Sequence, residues 1–452
     1  MERHHTSLVE IANRCRAAGL LAIILLGLTW IPALGASEPW TLERAMQTAL
    51  TNNPDARLAQ HRIAAARAGQ LQADSALWPL VQLNTSYGIT DNPTRVFGAA
   101  LNQRSFDFGL IEDVPDVDTF NAHGLVVMPL YRGGQARAGR RESAARVQAA
   151  RSADLAVRQA LAFEVARTFF TLQKTRAFIQ ATESAVEAFE ANLVVAGKRQ
   201  AAGTALKNEV LDVEVRLAEA RENLVRSRNA DALARQALGN LLAVEEPVTD
   251  LDLATPDIAA PPLSTPVARS ELQAAEQQRR AAEAALERAK GGRMPAVNAY
   301  GRYDYDHGWR FNSGGGSYTA GVELQWNLWD GQLTRGRVQE AQAAIDTALE
   351  QERKLRLAID LEIAQARLYV QEAEQRLEVT SRVIAQAEES ADLTRARFEQ
   401  GLALSTQLID AENALTAARF RRAEAESGRR VAVSALRRAL GLPQLAELEL
   451  TP

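Results

Sequence analysis

Leu130-Tyr131-Arg132-Gly133 and Leu328-Trp329-Asp330-Gly331 carry one signal (leucine, aromatic, polar residue, glycine), written twice at an offset of 198 residues. At the same offset Phe163-Glu164-Val165 matches Leu361-Glu362-Ile363, Arg199 and Gly203 match Arg397 and Gly401, and Leu211-Asp212 matches Ile409-Asp410. One register therefore holds over about 80 residues. A chain self-similar at a fixed offset is built from two copies of one supersecondary unit.

Between these landmarks lie heptads. Val165, Leu172, Ile179, Val186 and Leu193 are spaced by seven, and their counterparts are Ile363, Val370, Leu377, Ile384 and Ala391. An ordinary amphipathic helix would drift toward a period of 3.6. A strict seven-residue seam must be buried against another helix with left-handed supercoiling. Upstream, Trp78-Pro79-Leu80-Val81 resembles Met294-Pro295-Ala296-Val297 at an offset of 216, so the first copy holds 18 extra residues, in the Pro/Gly/Asp-rich stretch Thr90 to Asp118.

Each copy then reads as a duplicated unit of helix, two strands, long helix and returning helix. The first helices are expected over Pro54 to Ala76 and Pro266 to Lys290, and the strand pairs within 80–130 and 296–328. The long helices run from Ala136 to Arg199 and Thr334 to Glu399, turning at Gly203 and Gly401 into helices that end near Leu242 and Leu440. At 1.5 Å per residue the long helices reach about 90 Å, which no compact domain needs. The expected organisation is a signal peptide at 1–35, a first structural repeat at 36–243 with its hairpin at 136–242, a linker at 244–265 rich in proline, and a second repeat at 266–452 with its hairpin at 334–440.

The signal peptide is read from Arg3, Arg14 and Arg16 ahead of the apolar run Ala17 to Leu28, followed by small residues at Ala33, Gly35 and Ala36. The competing reading, a membrane anchor, needs a run of roughly 20 residues. The single cysteine, Cys15, precedes the apolar run, so the mature chain is expected to hold no disulfide and no thiolate metal site. No later stretch approaches spanning length, so any crossing of a membrane must use strands.

The last strand supports that crossing. Tyr318, Ala320, Val322, Leu324, Trp326 and Leu328 alternate with Thr319, Gly321, Glu323, Gln325 and Asn327. Barrel strands facing lipid have this length and alternation. Val297, Ala299, Tyr303 and Tyr305 alternate less cleanly with Asn298, Arg302, Asp304 and Asp306, as do Val81, Leu83 and Tyr87 with Gln82, Asn84 and Ser86. The stretch Leu125 to Leu130 hardly alternates. A soluble sheet packed on its own helices is the alternative. Four strands cannot close a membrane barrel, which takes about eight, so copies must pool strands.

Composition bounds the function. The 452 residues are 46% hydrophobic but only 6% aromatic, and the net charge of −4 gives no reason to expect nucleic acid. His61, His123 and His307 are the histidines left after cleavage, with no two at ligand spacing. Phosphate-cradling, dinucleotide and nucleophile-elbow motifs are absent from the sequence. Gly314-Gly315-Gly316 reads as a surface loop between two strands. The chain is expected to be no enzyme and to use no cofactor and no metal.

Pro129-Leu130-Tyr131-Arg132-Gly133-Gly134, Arg397-Phe398-Glu399-Gln400-Gly401 and the opening Leu42-Glu43-Arg44-Ala45 to Asn52-Asn53-Pro54 resemble the TolC family of outer-membrane efflux and secretion channels, over essentially the whole mature chain. The second copy departs, with Asn327 for the family's proline and Gln332 for its second glycine. The resemblance implies a mainly α protein with a transmembrane β-barrel: a homotrimer whose 12 strands continue into a long periplasmic helical barrel. It implies an outer-membrane exit duct extending into the periplasm, in contact with outer-membrane lipid, a periplasmic adaptor and an inner-membrane transporter.

The family closes its periplasmic end with acidic rings, so the pore-constriction candidates are Asp410 and Gln407 with Glu209 and Asp212 of the first copy. Adaptor docking falls to the hairpin tips, Arg199, Gly203, Arg397 and Gly401. A structural coiled-coil envelope protein would explain the heptads but not the recurring strand pairs. An adaptor would have one hairpin flanked by small β domains.

Overall fold

The structure, a computed structural model, describes residues 39–445 apart from 112, 113, 246, 247, 250, 253, 255–258 and 263. The expected signal peptide lies outside the described residues.

Helix α1 (Leu42–Asn52) is capped by Thr41, whose hydroxyl accepts from the Arg44 N–H at 3.2 Å. Helix α2 (Pro54–Ser75) follows after one residue. Asn53 makes this break: its Oδ1 accepts from the Asp55 N–H at 2.8 Å, and its Nδ2 donates to the Leu241 carbonyl at 2.9 Å. Pro54 fills the first helical position, where a missing N–H removes no helical bond. Next come β1 (Leu80–Thr90), α3 (Pro93–Asn102), β2 (Val117–Arg132), α4 (Gln135–Ala201) and α5 (Lys207–Leu242). The second copy gives α6 (Ser270–Lys290), β3 (Ala296–Gly308), β4 (Ser313–Gln325), α7 (Leu333–Glu399) and α8 (Ser405–Leu440).

The two copies match in length: α4 and α7 have 67 residues each, α5 and α8 have 36 each. A helix of 67 residues is about 100 Å long. The heptad seam is where the helices meet. Val165, Leu172 and Ala391 are sealed, Ile363 and Val370 nearly so, and the other seam residues are half-buried.

The apolar core sits toward the middle of the long helices. Met46 of α1, Phe169, Phe170 and Leu172 of α4, and Leu238 and Leu242 of α5 form the first cluster, all fully buried. Each such side chain contributes about 1.5–3 kcal/mol by leaving water. The second cluster, with Ile363, Val370, Val433, Leu436 and Leu440, is aliphatic throughout. The linker is tied down: Val248 and Leu251 pack on the first cluster, Ala260 on the second, and Leu251 bridges Trp40.

The strands form one antiparallel sheet in the order β1-β2-β3-β4, so β2 of the first copy pairs with β3 of the second and joins the repeats. Register sorts the side chains onto two faces. Val81, Leu83 and Tyr87 align with Val126, Gly124 and Phe120, which align in turn with Gly301, Tyr303 and His307, and Tyr303 with Tyr318. Val297 and Ala299 continue this face beside Leu324 and Val322. The other face carries Gln82, Asn84, Asn121, His123, Arg302, Asp304, Ser317 and Thr319. The apolar face is bare: Leu83 is 77% exposed and Tyr318 is 83% exposed. The apolar side of this sheet is therefore not packed on the protein's own helices.

Two expectations change. Gly314-Gly315-Gly316 is not a loop but the start of β4, paired with His307, Asp306 and Tyr305. Space explains the glycines: a Cβ on Gly316 would strike the Tyr303 hydroxyl, and one on Gly315 would lie 2.8 Å from Arg104 Cγ. The strand ends at Gln325, short of the alternation that reaches Leu328.

Candidate functional site

The hairpin tips are built twice by one set of backbone bonds. At the end of α4 the Gly203 N–H donates to the Gln200 carbonyl at 2.9 Å, and the Thr204 N–H to the Arg199 carbonyl at 2.9 Å. At the end of α7 the Gly401 N–H donates to the Phe398 carbonyl at 3.0 Å, and the Leu402 N–H to the Arg397 carbonyl at 2.8 Å. This paired closure needs a left-handed residue after the helix. Gly203 (φ 72°) and Gly401 (φ 78°) supply it. The Arg-X-X-X-Gly spacing is therefore the spacing of a helix stop.

The returning helices start alike. Glu209 Oε1 accepts from the Leu206 N–H at 3.3 Å, and Gln407 Oε1 accepts from the Leu404 N–H at 3.2 Å. This is the backward half of a capping box, filled equally well by an acid or an amide. One turn on, Asp212 and Asp410 are exposed, with no hydrogen bond or ion pair to any described residue. The four constriction candidates thus divide by chemistry into two helix caps and two free carboxylates.

The tips are held together. Arg199 Nη1 donates to the Phe398 carbonyl at 3.3 Å, and its guanidinium lies 4.8 Å over the Phe398 ring. Phe398, Ala196, Ala403 and Leu408 form a small buried cluster between the tips. Arg397 is exposed. Above them Ile409 enters the first hairpin's cluster of Phe189, Val213 and Leu217.

A polar link was not foreseen. Glu412, 3% exposed, accepts from Arg395 Nη2 at 2.7 Å and from Asn192 Nδ2 at 3.5 Å, so it connects α8 to α7 and α4. Burial pulls the Arg395 guanidinium pKa down, but its bonds to Glu412 and Asp392 outweigh this and hold it above the ordinary arginine value. The signal available in sequence was only that Glu412 falls three residues after Ile409, on one helix face.

Among the described residues no helix is long and apolar enough to cross a membrane, and no group of His, Cys, Asp and Glu is arranged to hold a metal.

A family model described as outer membrane efflux protein matches residues 45–244 and 267–442. No individually curated protein matches the chain. Among solved structures, the outer-membrane channel OprN is 22% identical with a TM-score of 0.77, covering 89% of this chain and 90% of its own. VceC from Vibrio cholerae is 20% identical with a TM-score of 0.76, covering 89% and 97%. CusC is 17% identical with a TM-score of 0.78, covering 89% and 92%. With more than half of its length matched by one family and this fold, the chain belongs to the outer membrane efflux protein family, as an outer-membrane efflux channel and not an enzyme.

Proposed function

We propose that the chain is the exit duct of a tripartite efflux pump or type I secretion machine, working as a homotrimer. In this reading 1–35 is the signal peptide and the repeats at 36–243 and 266–452 are joined by 244–265. The observation that carries it is the sheet: four strands with an exposed apolar face and two open edges, β1 and β4. Open edges are not tolerated in lipid. Three copies joined β4 to β1 satisfy every edge and make twelve strands around polar side chains. The helices, about 100 Å long, continue that cylinder through the periplasm.

Transport through it is passive, driven by an inner-membrane transporter. The tips, with Arg199, Gly203, Arg397 and Gly401, are where a periplasmic adaptor docks. Asp410 and Asp212 face the narrow end, with Gln407 and Glu209 fixing the turn one helical turn before them. Three exposed carboxylates around an axis concentrate cations at the mouth. Single-channel recording in a planar bilayer, on protein shown by cross-linking to be trimeric, tests this. Channels whose cation preference falls in Asp410→Asn support it. A monomer without conductance overturns the duct, and unchanged selectivity removes Asp410 from the axis.

A further inference from the structure

The 18 surplus residues of the first copy build a structure of their own on the polar face of the sheet. After β1 the chain turns at Asn92, whose Oδ1 accepts from the Arg95 N–H at 3.3 Å, and starts α3 at Pro93. Val96 and Ala100 on α3 are fully buried, as is Val117 at the start of β2. Val117 and Thr119 share the face of Asn121 and His123, so α3 lies against the polar side of the sheet, away from the bare apolar side.

Gln103 locks it there. Its side chain is fully buried; Nε2 donates to the Asp118 carbonyl at 2.9 Å and to Thr119 Oγ1 at 3.0 Å. Its backbone carbonyl accepts from Ser313 Oγ at 2.6 Å. Arg104, held at φ 59°, donates from Nη2 to the Gly316 carbonyl at 3.1 Å. The sheet is cut to receive this segment: a Cβ on Gly308 would lie 2.5 Å from Gln103 Cδ, and one on Gly315 would overlap the Asn102 carbonyl. Asp306, a charged residue on the polar face, is only 6% exposed. A loop lying loosely in solvent would not hold a fully buried glutamine or require glycine on two partner strands.

In a barrel closed as proposed above, on which this inference rests, the polar face is the lumen and the end bearing α3 is the one away from the long helices. We infer that residues 93–104 form a fixed inward shelf at the exit, and that three shelves make a size-selecting filter with Gln103 as its positioning residue. What leaves the duct is then limited at the outer mouth as well as at the hairpin tips.

The test uses cysteine accessibility in intact cells, since Cys15 is the only native cysteine and lies in the expected signal peptide. Thr319→Cys places a thiol on the polar face, and Asp91→Cys places one on the exposed turn before α3. Small and long polyethylene-glycol maleimides, both membrane-impermeant, are added outside. The inference expects both reagents to label Asp91→Cys but only the small one to label Thr319→Cys. Releasing the shelf by Gln103→Ala with Ser313→Ala, or separately by Val96→Asp, should raise long-reagent labelling of Thr319→Cys by an order of magnitude in trimers of unchanged gel mobility. Equal labelling of Thr319→Cys by both reagents before release overturns the filter, as does unchanged exclusion after both releases. Absence of any labelling at Asp91→Cys instead overturns the surface orientation of the duct.

Discussion

Arg199 reaches from the tip of one hairpin to the tip of the other, donating to the Phe398 carbonyl at 3.3 Å with its guanidinium 4.8 Å above the Phe398 ring. The same carbonyl already closes the second tip by accepting from the Gly401 N–H. One arginine therefore couples two turns that are otherwise built separately.

Removing that coupling has a local signature. A cation over an aromatic ring and a charged hydrogen bond to a carbonyl together contribute about 1–3 kcal/mol. Arg199→Ala should speed amide hydrogen exchange in both tips while leaving the core around Phe169 protected. Arg199→Lys should recover only part, because a lysine lacks the flat face that lies on the ring. Faster exchange in the first tip alone would show the two turns to be independent.

Arg199 also owes its role to a contact that no single segment of the sequence encodes. The repeated Arg-X-X-X-Gly spacing marked both tips, since the glycine must accept a positive φ. It gave no hint that the two arginines differ, because the Phe398 ring comes from the opposite hairpin. The duplication, the seam and β4 were legible because each depends on a period within one segment. β2 was not: Leu125 and Val127 lie on the polar face and Gly124 on the apolar one, which erases the alternation. The shelf helix α3 was hidden in a stretch whose Pro, Gly and Asp content reads as loop, although Asn92-Pro93 is a helix start. Glu209 and Gln407 were singled out by position as constriction candidates, and their capping bonds stayed hidden because Leu206 and Leu404 ahead of them carry no capping oxygen.

The two copies of the founding turn should respond differently to one substitution. Gly133 (φ 60°) sits against the other repeat, and a Cβ there would lie 2.7 Å from Met294 Cβ and overlap the Gly291 carbonyl. Gly331 (φ 63°) has open space around it. Gly331→Ala carries only the left-handed strain of about 1–2 kcal/mol. Gly133→Ala adds overpacking against backbone, for a total of about 3 kcal/mol or more. Thermal unfolding of the assembled protein should rank them so, and equal losses would mean the contact of Gly133 with the 291–294 turn is dispensable.

Acid should loosen the base of the second repeat. Arg269, whose side chain is 5% exposed, donates to Glu271 at 2.9 Å, to Glu362 at 2.9 Å and to the Ala439 carbonyl at 3.2 Å. Burial raises the Glu271 pKa, but the bond from Arg269 outweighs it and the carboxyl is held below the ordinary glutamate range. A lowered folded-state pKa means the stabilisation is complete above the unfolded pKa and is lost as pH falls through the folded one. Wild type should exceed Glu271→Gln in stability by on the order of 1 kcal/mol at neutral pH, with the gap closing as the pH falls below the ordinary glutamate range and through the lowered folded-state value. A gap that stays constant with pH would assign the effect to packing.

Thr319 and Ala320 are neighbours in sequence and point to opposite faces of β4. If the apolar face meets lipid, Ala320→Arg places a charge near the middle of the hydrocarbon, at about 2–4 kcal/mol. Thr319→Arg places the same charge on the polar face directly opposite Arg302, where like-charge repulsion costs about 1 kcal/mol or less. Urea titration of protein folded into lipid vesicles should separate the two by more than either differs from wild type in detergent. A sheet standing in water would treat both arginines alike, because neither face would then need to shed its charge, and the membrane assignment of this sheet would fall with that result.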